Sequence, residues 1–218
     1  VAAEAAPILQ KAKERTDSED LRKQLDAHLA TIAPPAPAAA PAAEEGFVAL
    51  FNGSDLTGWE GDIEGYAAEN GELVCKPGGN LYTVKDYANF VLRFEFKLTP
   101  GANNGLAVRV PMPAHAAYDG MELQILDDTH EKYKDLKPYQ FHGSIYGIVP
   151  AKPGFLKPVG EWNEYEIKIV GASIAVRLNG ELVATSNSAD ALTRGYIGLQ
   201  GENGSHEYRN FRIKDLGK

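Results

Sequence analysis

Phe90-Val-Leu-Arg-Phe-Glu-Phe-Lys-Leu98 decides the fold class. Phe90, Leu92, Phe94, Phe96 and Leu98 fall on one side of an extended chain, and Val91, Arg93, Glu95 and Lys97 on the other. A helix would scatter these residues around its circumference. A strand, with its period of two, gathers them into an apolar face and a mainly charged one. The same alternation returns downstream. Tyr165, Ile167 and Ile169 interleave with Glu164, Glu166 and Lys168, and Ile174, Val176 and Leu178 with Ser173, Ala175 and Arg177. Asn179-Gly180 lies between the segments 173–178 and 181–186 and reads as a two-residue hairpin turn, because Asn and Gly accept the left-handed backbone such a turn requires. Glu69-Asn70-Gly71-Glu72 is a second turn signal. Further strands are expected near 72–76, 81–84, 104–110, 120–126, 143–149, 195–201 and 206–214. So many short strands without helical periodicity between them predict an all-β, two-sheet sandwich of the jelly-roll kind. Phe94, Phe96, Tyr165, Ile167, Ile174 and Val176 are expected in its core.

Composition changes near residue 46. Before that point there is no aromatic residue, and Ala, Pro and charge dominate. Leu21, Leu25, Leu29 and Ile32 recur at spacings of four, four and three, an apolar helical stripe. Thr16 followed by Glu19 reads as a capping box that starts this helix, and a shorter helix is expected around Ala5–Glu14. The stretch APPAPAAAPAAEE that follows carries four prolines, which deny a helix and favour an extended, semi-rigid spacer. The chain therefore divides into a helical segment (1–32), a Pro/Ala-rich linker (33–46) and a β-sandwich (47–218). Neither short helix has enough apolar surface to stand alone in water, so they are expected to pack on something or to be the remnant of a larger helical region. The linker reads as a tether to a helical partner domain rather than a proline-rich ligand motif.

The whole chain has 218 residues, a formal net charge of -8 and one cysteine, Cys75. The acidic balance, without a Lys/Arg cluster, argues against nucleic acid as a partner. No stretch approaches the roughly 20 apolar residues of a membrane-spanning helix. One cysteine excludes an internal disulfide framework and a multi-cysteine zinc site. The chain begins at Val1 rather than Met, as it would if a signal or pro-segment had been removed or the chain trimmed.

Candidate chemistry gathers around Gly120-Met-Glu-Leu-Gln-Ile-Leu-Asp127. Met121, Leu123 and Ile125 face the core; Glu122 and Gln124 face away from it, either as a plain solvated strand face or as the floor of a groove. In the segment 104–110, Leu106, Val108 and Val110 are expected to face the core, leaving Ala107 and Arg109 opposite. If the two strands are neighbours, Arg109 would pair with Glu122 across the groove, in a structural or a catalytic role. Asp127 with Asp128 reads as a cation site or the start of a polar loop. His142, before Gly143-Ser-Ile-Tyr146, reads as a proton carrier near neutral pH or a structural residue. Trp59 and Trp162 read as core or as sugar-stacking platforms. No nucleophile elbow, phosphate loop, dinucleotide fingerprint or zinc-protease motif is present.

Read together, eight motifs resemble a known bacterial family, the 3-keto-disaccharide hydrolase domain, once designated a domain of unknown function. Phe47-Val-Ala-Leu-Phe-Asn-Gly-Ser-Asp-Leu-Thr-Gly-Trp59 resembles its opening. Asn104-Gly-Leu-Ala-Val-Arg109, the Glu122 segment and Gly143-Ser-Ile-Tyr146 are similar to its middle motifs. Gly160-Glu-Trp-Asn163, Leu178-Asn-Gly180, Gly195-Tyr-Ile-Gly-Leu-Gln200 and Tyr208-Arg-Asn-Phe-Arg-Ile213 are similar to its later ones. Gly201-Glu202 stands where the family usually follows Leu-Gln with a histidine. The resemblance, covering about 47–216, implies a concanavalin A-like jelly roll, a periplasmic or secreted location and activity on oxidised glycosides.

Laminarinase-like glycosidases on that fold carry Glu-x-Asp-x-Glu along one strand face; here the spacing gives Glu122, Gln124 and Leu126. A retaining glycosidase needs two carboxyl groups roughly 5–5.5 Å apart, so a conventional endoglucanase is disfavoured. A 3-keto-glycoside needs less. The ketone acidifies the C2 hydrogen, one general base removes it, the aglycone leaves from C1, and hydration completes a net hydrolysis. Glu122 is the candidate base, with Gln124, Arg109, Asp127 and His142 as helpers. A divalent cation on the carbonyl would also serve. The alternative is a non-catalytic, lectin-like carbohydrate-binding module.

Overall fold

The computed structural model describes residues 9, 11–16, 18–32, 44–76, 78–111, 120–187, 189, 192–201 and 206–217. Contacts divide the chain into two units, Val1–Ala39 and Ala40–Lys218.

In the first unit, residues 11–15 are helical and helix α1 spans Glu19–Ile32. Its start differs from the expected one. The Leu21 N–H donates to Ser18 Oγ at 3.3 Å, so Ser18 caps the helix. Thr16 instead takes the Ser18 N–H at 3.2 Å. Either hydroxyl can satisfy an orphan helical N–H, and the pattern Thr-x-x-Glu did not distinguish the two. Of the helix expected around 5–14, residues 9 and 11–14 are helical and the others lie outside the described residues, as do residues 33–43 of the linker.

The second unit is a two-sheet, antiparallel jelly-roll sandwich. Its strands are β1 (Val48–Ala49), β2 (Trp59–Gly61), β3 (Tyr66–Glu69), β4 (Glu72–Cys75), β5 (Leu81–Thr83), β6 (Asn89–Leu98) and β7 (Asn103–Val110). They continue as β8 (Met121–Leu126), β9 (Trp162–Val170), β10 (Ser173–Leu178), β11 (Glu181–Ser186), β12 (Tyr196–Leu199) and β13 (His206–Gly217). One sheet has the order β11-β10-β9-β6-β13-β4-β3, with β1 also paired to β13; the other has the order β2-β5-β12-β7-β8. The chain is already held on the first sheet at Glu44, within the span assigned from sequence to the linker, where it ion-pairs Arg93 and Arg212.

Alternation builds the core as read. Phe94, Phe96, Tyr165, Ile167, Ile174 and Val176 are all fully buried, each contributing about 1.5–3 kcal/mol of apolar burial. Phe94 and Phe211 stack at 4.5 Å, with Tyr165 edge-on to Phe94 at 5.6 Å. On the opposite face of the same sheet, Arg93 pairs with Glu166, Arg209 with Glu95 and Lys97 with Glu207. Both predicted hairpin turns form, with positive φ at Asn70-Gly71 and at Asn179-Gly180. The strand expected at 143–149 does not form. Gly143 and Gly147 adopt φ of 82° and 73°, which break an extended run. Ile145 makes only isolated bridges, to Leu123 and Val149.

Two bulges re-aim side chains. In β13 the register with β6 shifts between Arg209 and Arg212, Asn210 takes φ 55°, and Tyr208 and Phe211 both reach the core. In β7 the pairing runs from Gly198↔Ala107 to Tyr196↔Val110, which leaves one extra residue on β7, and Arg109 takes φ 54°. Such an insertion reverses parity beyond it. Val110, expected in the core, therefore joins Ala107, Tyr82 and Tyr196 in a separate cluster on the outer face of the five-stranded sheet.

Candidate functional site

The outer face of the five-stranded sheet is where Glu122 lies. β7 and β8 pair with Ala107 opposite Glu122 and Gly105 opposite Gln124, while Leu106, Leu123 and Ile125 are buried in the main core on the inner side. β12 runs on the other flank of β7, with the Gln200 N–H donating to the Gly105 carbonyl at 3.0 Å. Gly105 is the floor. A Cβ there would collide with Glu122 Oε1 and come within 2.7 Å of Gln200 Oε1, so the carboxylate and the amide converge above a residue that has no side chain. Gly198 repeats the device one pair along: a Cβ would sit 2.6 Å from the Tyr82 ring. Tyr82, Val110 and Ala107, all buried, with half-buried Tyr196 packed against them, thus form an apolar shelf beside the polar corner. Asn80 donates to the Tyr82 hydroxyl at 2.9 Å.

Gln124 shares this face. Its Nε2 donates to Asn103 Oδ1 at 3.0 Å, and among the described residues its buried Oε1 has no hydrogen-bond partner, nor has Gln200 Nε2. Buried amide groups are seldom left unpaired, so this corner holds hydrogen-bonding capacity that the described residues do not use. A carboxylate, several amides and an aromatic shelf suit a polyhydroxylated ligand with an apolar ring face.

The structure brings Glu122 and Gln124 together. It does not bring Arg109, Asp127 or His142 to them. The bulge turns Arg109 away, and its guanidinium is buried where it donates to the carbonyls of Ala88, Gly171, Ala189 and Leu192 at 2.7–3.0 Å and to Asn89 Oδ1 at 3.3 Å. Burial holds its pKa below the usual arginine value. Asp127 lies five residues beyond Glu122, roughly 17 Å along an extended chain. Its carboxylate accepts from the Gly101 N–H at 2.7 Å and from the Thr129 hydroxyl at 2.6 Å. Burial alone would raise its pKa, but these bonds bring it below the ordinary aspartate value. It is a turn residue, not a free base.

His142 is on the core side, its ring parallel to Tyr165 at 5.3 Å and 5.2 Å from Phe96. Nδ1 accepts the Leu126 N–H at 3.0 Å, which places the ring proton on Nε2. Burial pushes its pKa down to about 3, so it stays neutral near pH 7 and is no proton carrier there. In an unfolded chain its pKa returns to about 6.5. The unfolded state then binds a proton below that pH and the folded state does not. Stability from this group is therefore present above pH 6.5 and is lost as pH falls towards 3, at about 1.4 kcal/mol per pH unit. His142→Gln keeps an acceptor for Leu126 and removes the titration. Urea unfolding at pH 7 and pH 4.5 is expected to show a smaller acid loss in the variant; equal losses would contradict the buried neutral imidazole.

Neither tryptophan is a platform on this face. Trp59 is in the core against Phe211 and donates to the Leu50 carbonyl at 2.8 Å. Trp162 lies between Lys97 and Arg209, on the outer face of the other sheet. Tyr82 and Gln200 were not singled out from sequence. The alternation Tyr196, Gly198, Gln200 against Ile197 and Leu199 was visible, but only the pairing of β12 with β7 places it beside Glu122. Cavities of about 340 and 350 Å³ lie at Arg109 and at His142; Glu122 lines neither. They follow the structural roles of those residues, and the polar convergence at Gly105 is the better functional signal. Among the described residues no group of three or more His, Cys, Asp or Glu side chains is placed to hold a metal ion, and no helix is long and apolar enough to cross a membrane.

Gly105→Ala tests the floor. The atoms in the way are the ends of two flexible side chains, so the fold is expected to persist. Glu122 and Gln200 must both move, and a displacement of about 1 Å at a reacting group costs up to about a hundredfold in rate. A loss of roughly tenfold to a hundredfold in turnover is expected, with a melting temperature near that of the wild type. Full activity in the variant would remove Gly105 from the site.

Residues 46–214 match the family described as the 3-keto-alpha-glucoside-1,2-lyase-like domain. The chain is 25% identical over 233 aligned positions to a 3-keto-disaccharide hydrolase of Bacteroides thetaiotaomicron, covering 81% of this chain and 80% of that protein. Two solved structures from Parabacteroides distasonis, each described as a "putative glycosyl hydrolase", share its fold. One is 30% identical with a TM-score of 0.72, covering 78% of this chain and 99% of its own; the other is 27% identical with a TM-score of 0.70, covering 79% and 95%.

Proposed function

The chain belongs to the 3-keto-alpha-glucoside-1,2-lyase-like domain family, and on that premise we propose that it cleaves 3-keto-glycosides by elimination and hydration, with Glu122 as the general base. The carrying observation is the Glu122 carboxylate set beside the amide of Gln200, with Gln124 next on the same face of β8. Beyond Glu122, the next positions on that face of β8 are Gln124 and Leu126, so the strand supplies one carboxyl group where a retaining glycosidase needs two roughly 5 Å apart. One is enough for a ketone. Glu122 takes the proton from C2, whose acidity comes from the C3 carbonyl; the electron pair passes into the enolate. The enolate returns its electrons, a C1–C2 double bond forms, and the C1–O bond breaks with the aglycone oxygen gaining a proton. Water adding across C1 and C2 gives the free 3-keto sugar. Hydrogen-bond donors beside the carbonyl oxygen stabilise the enolate, and the shelf at Tyr82 receives the ring's apolar face.

The test offers methyl 3-keto-α-glucopyranoside and methyl α-glucopyranoside in parallel, with and without a chelator, and follows methanol release. Release from the keto sugar alone is expected. Binding of sugar without turnover, with or without added divalent cation, would overturn the enzyme and leave a lectin.

A further inference from the structure

We propose that Gln200 positions the sugar in this site, its amide holding a ring oxygen beside Glu122 over Gly105. The inference rests on the reading of this face as a keto-sugar site, and it adds a residue and the chemistry that residue reads.

Three observations carry it. Gln200 Nε2, a donor, and Gln124 Oε1, an acceptor, are both buried, and neither has a hydrogen-bond partner among the described residues. The two side chains lie on one sheet face on either side of β7: Gln124 is paired opposite Gly105, and Gln200 is held by its own N–H on the Gly105 carbonyl. Gln200 Oε1 and Glu122 Oε1 crowd the same point above Gly105, which puts Gln200 next to the carboxylate.

A donor beside the carboxylate and an acceptor on the other flank of β7 can each meet an oxygen of the same sugar. The ketone or a hydroxyl accepts from Gln200, and another hydroxyl of the sugar gives its hydrogen to Gln124. The last torsion of a glutamine side chain is soft, so both amides can turn to an arriving ligand without moving the sheet. In the free protein the unmet groups cost stability, and a ligand that satisfies them recovers it as affinity. The carbonyl oxygen of a 3-keto sugar, one bond from the C2 hydrogen that Glu122 removes, is the acceptor that places Gln200 where enolate charge develops.

Two variants decide it. Gln200→Met keeps the length and removes the amide. It is expected to weaken binding of methyl α-glucopyranoside, measured by calorimetry, by about tenfold, and to raise KM for the keto sugar. Its melting temperature should stay level or rise, because a buried unpaired group is gone; a structural glutamine would give the opposite. Gln200→Glu sets a second carboxylate beside Glu122 and is expected to move the acidic limb of kcat/KM up by about one pH unit, as like charges do. Unchanged affinity in the methionine variant, or an unmoved acidic limb in the glutamate variant, would overturn the proposal, as would wild-type protein that binds neither sugar. The calorimetric arm needs no turnover. Failure of the proposed reaction, with sugar binding intact and sensitive to Gln200→Met, would leave the positioning role standing.

Discussion

Glu122→Gln is expected to lower turnover of a 3-keto-glucoside by at least about a hundredfold, the low end for losing a general acid or base, with little change in stability. Glu122 is on β8 with its side chain over Gly105, among Gln124, Gln200 and the Tyr82 shelf. The amide has the same shape, so the neighbours need not repack, but it cannot accept a proton from carbon. Loss of turnover with sugar binding retained supports the base assignment. Loss of both with a normal melting temperature makes Glu122 a binding residue. Unchanged turnover sinks the assignment, and His142 is no substitute, because its imidazole is enclosed on the core side by Tyr165 and Phe96.

The assignment of Glu122 and Gln124 to one outward face was legible because it needs only period two and a regular strand. Met121, Leu123 and Ile125 are buried in the main core, and the alternate positions have no choice but the other side. The same logic found the core of the eight-stranded sheet. It failed where the chain departs from regularity. Gly143 and Gly147 have left-handed backbones that end any strand there, and the alternation of their neighbours counted for nothing. The three-residue β2 and four-residue β3 were too short to show a period.

Gln200 shows a different limit. Its parity was readable, but its place beside Glu122 depends on β12 pairing with β7 across nearly a hundred residues of sequence. Nothing local encodes that contact. Asp127 and His142 were near Glu122 in sequence or in motif order, and that proximity misled. A strand carries its far end roughly 3.3 Å further with each residue, and a loop can return to the opposite side of the sheet.

Arg109 is the sharper case, and it carries the second large expectation. Arg109→Met should destabilise the sandwich by about 4 kcal/mol or more, the scale of losing a buried hydrogen-bond network. Its guanidinium donates to four main-chain carbonyls, two of them in the chain around Ala189 and Leu192, one just before β6 and one in the β9–β10 turn. Methionine fills part of the volume but leaves the buried carbonyls of Ala88 and Ala189 unmet and takes the donor from those of Gly171 and Leu192. Arg109→Lys is expected to recover little, because one ammonium cannot spread over acceptors arranged around a planar fork. The neighbouring Gly195 supports the structural reading: a Cβ there would strike the Arg109 carbonyl, so the bulge and the glycine facing it are fitted to each other. Urea unfolding gives the stability change, and turnover measured per folded molecule gives the chemical one. A large drop in unfolding midpoint, with turnover of the folded fraction near the wild-type value, is the expected pair of results. If stability holds and turnover collapses, the guanidinium belongs with Glu122 after all. The extended parity of β7 would then describe the active conformation better than the bulge does.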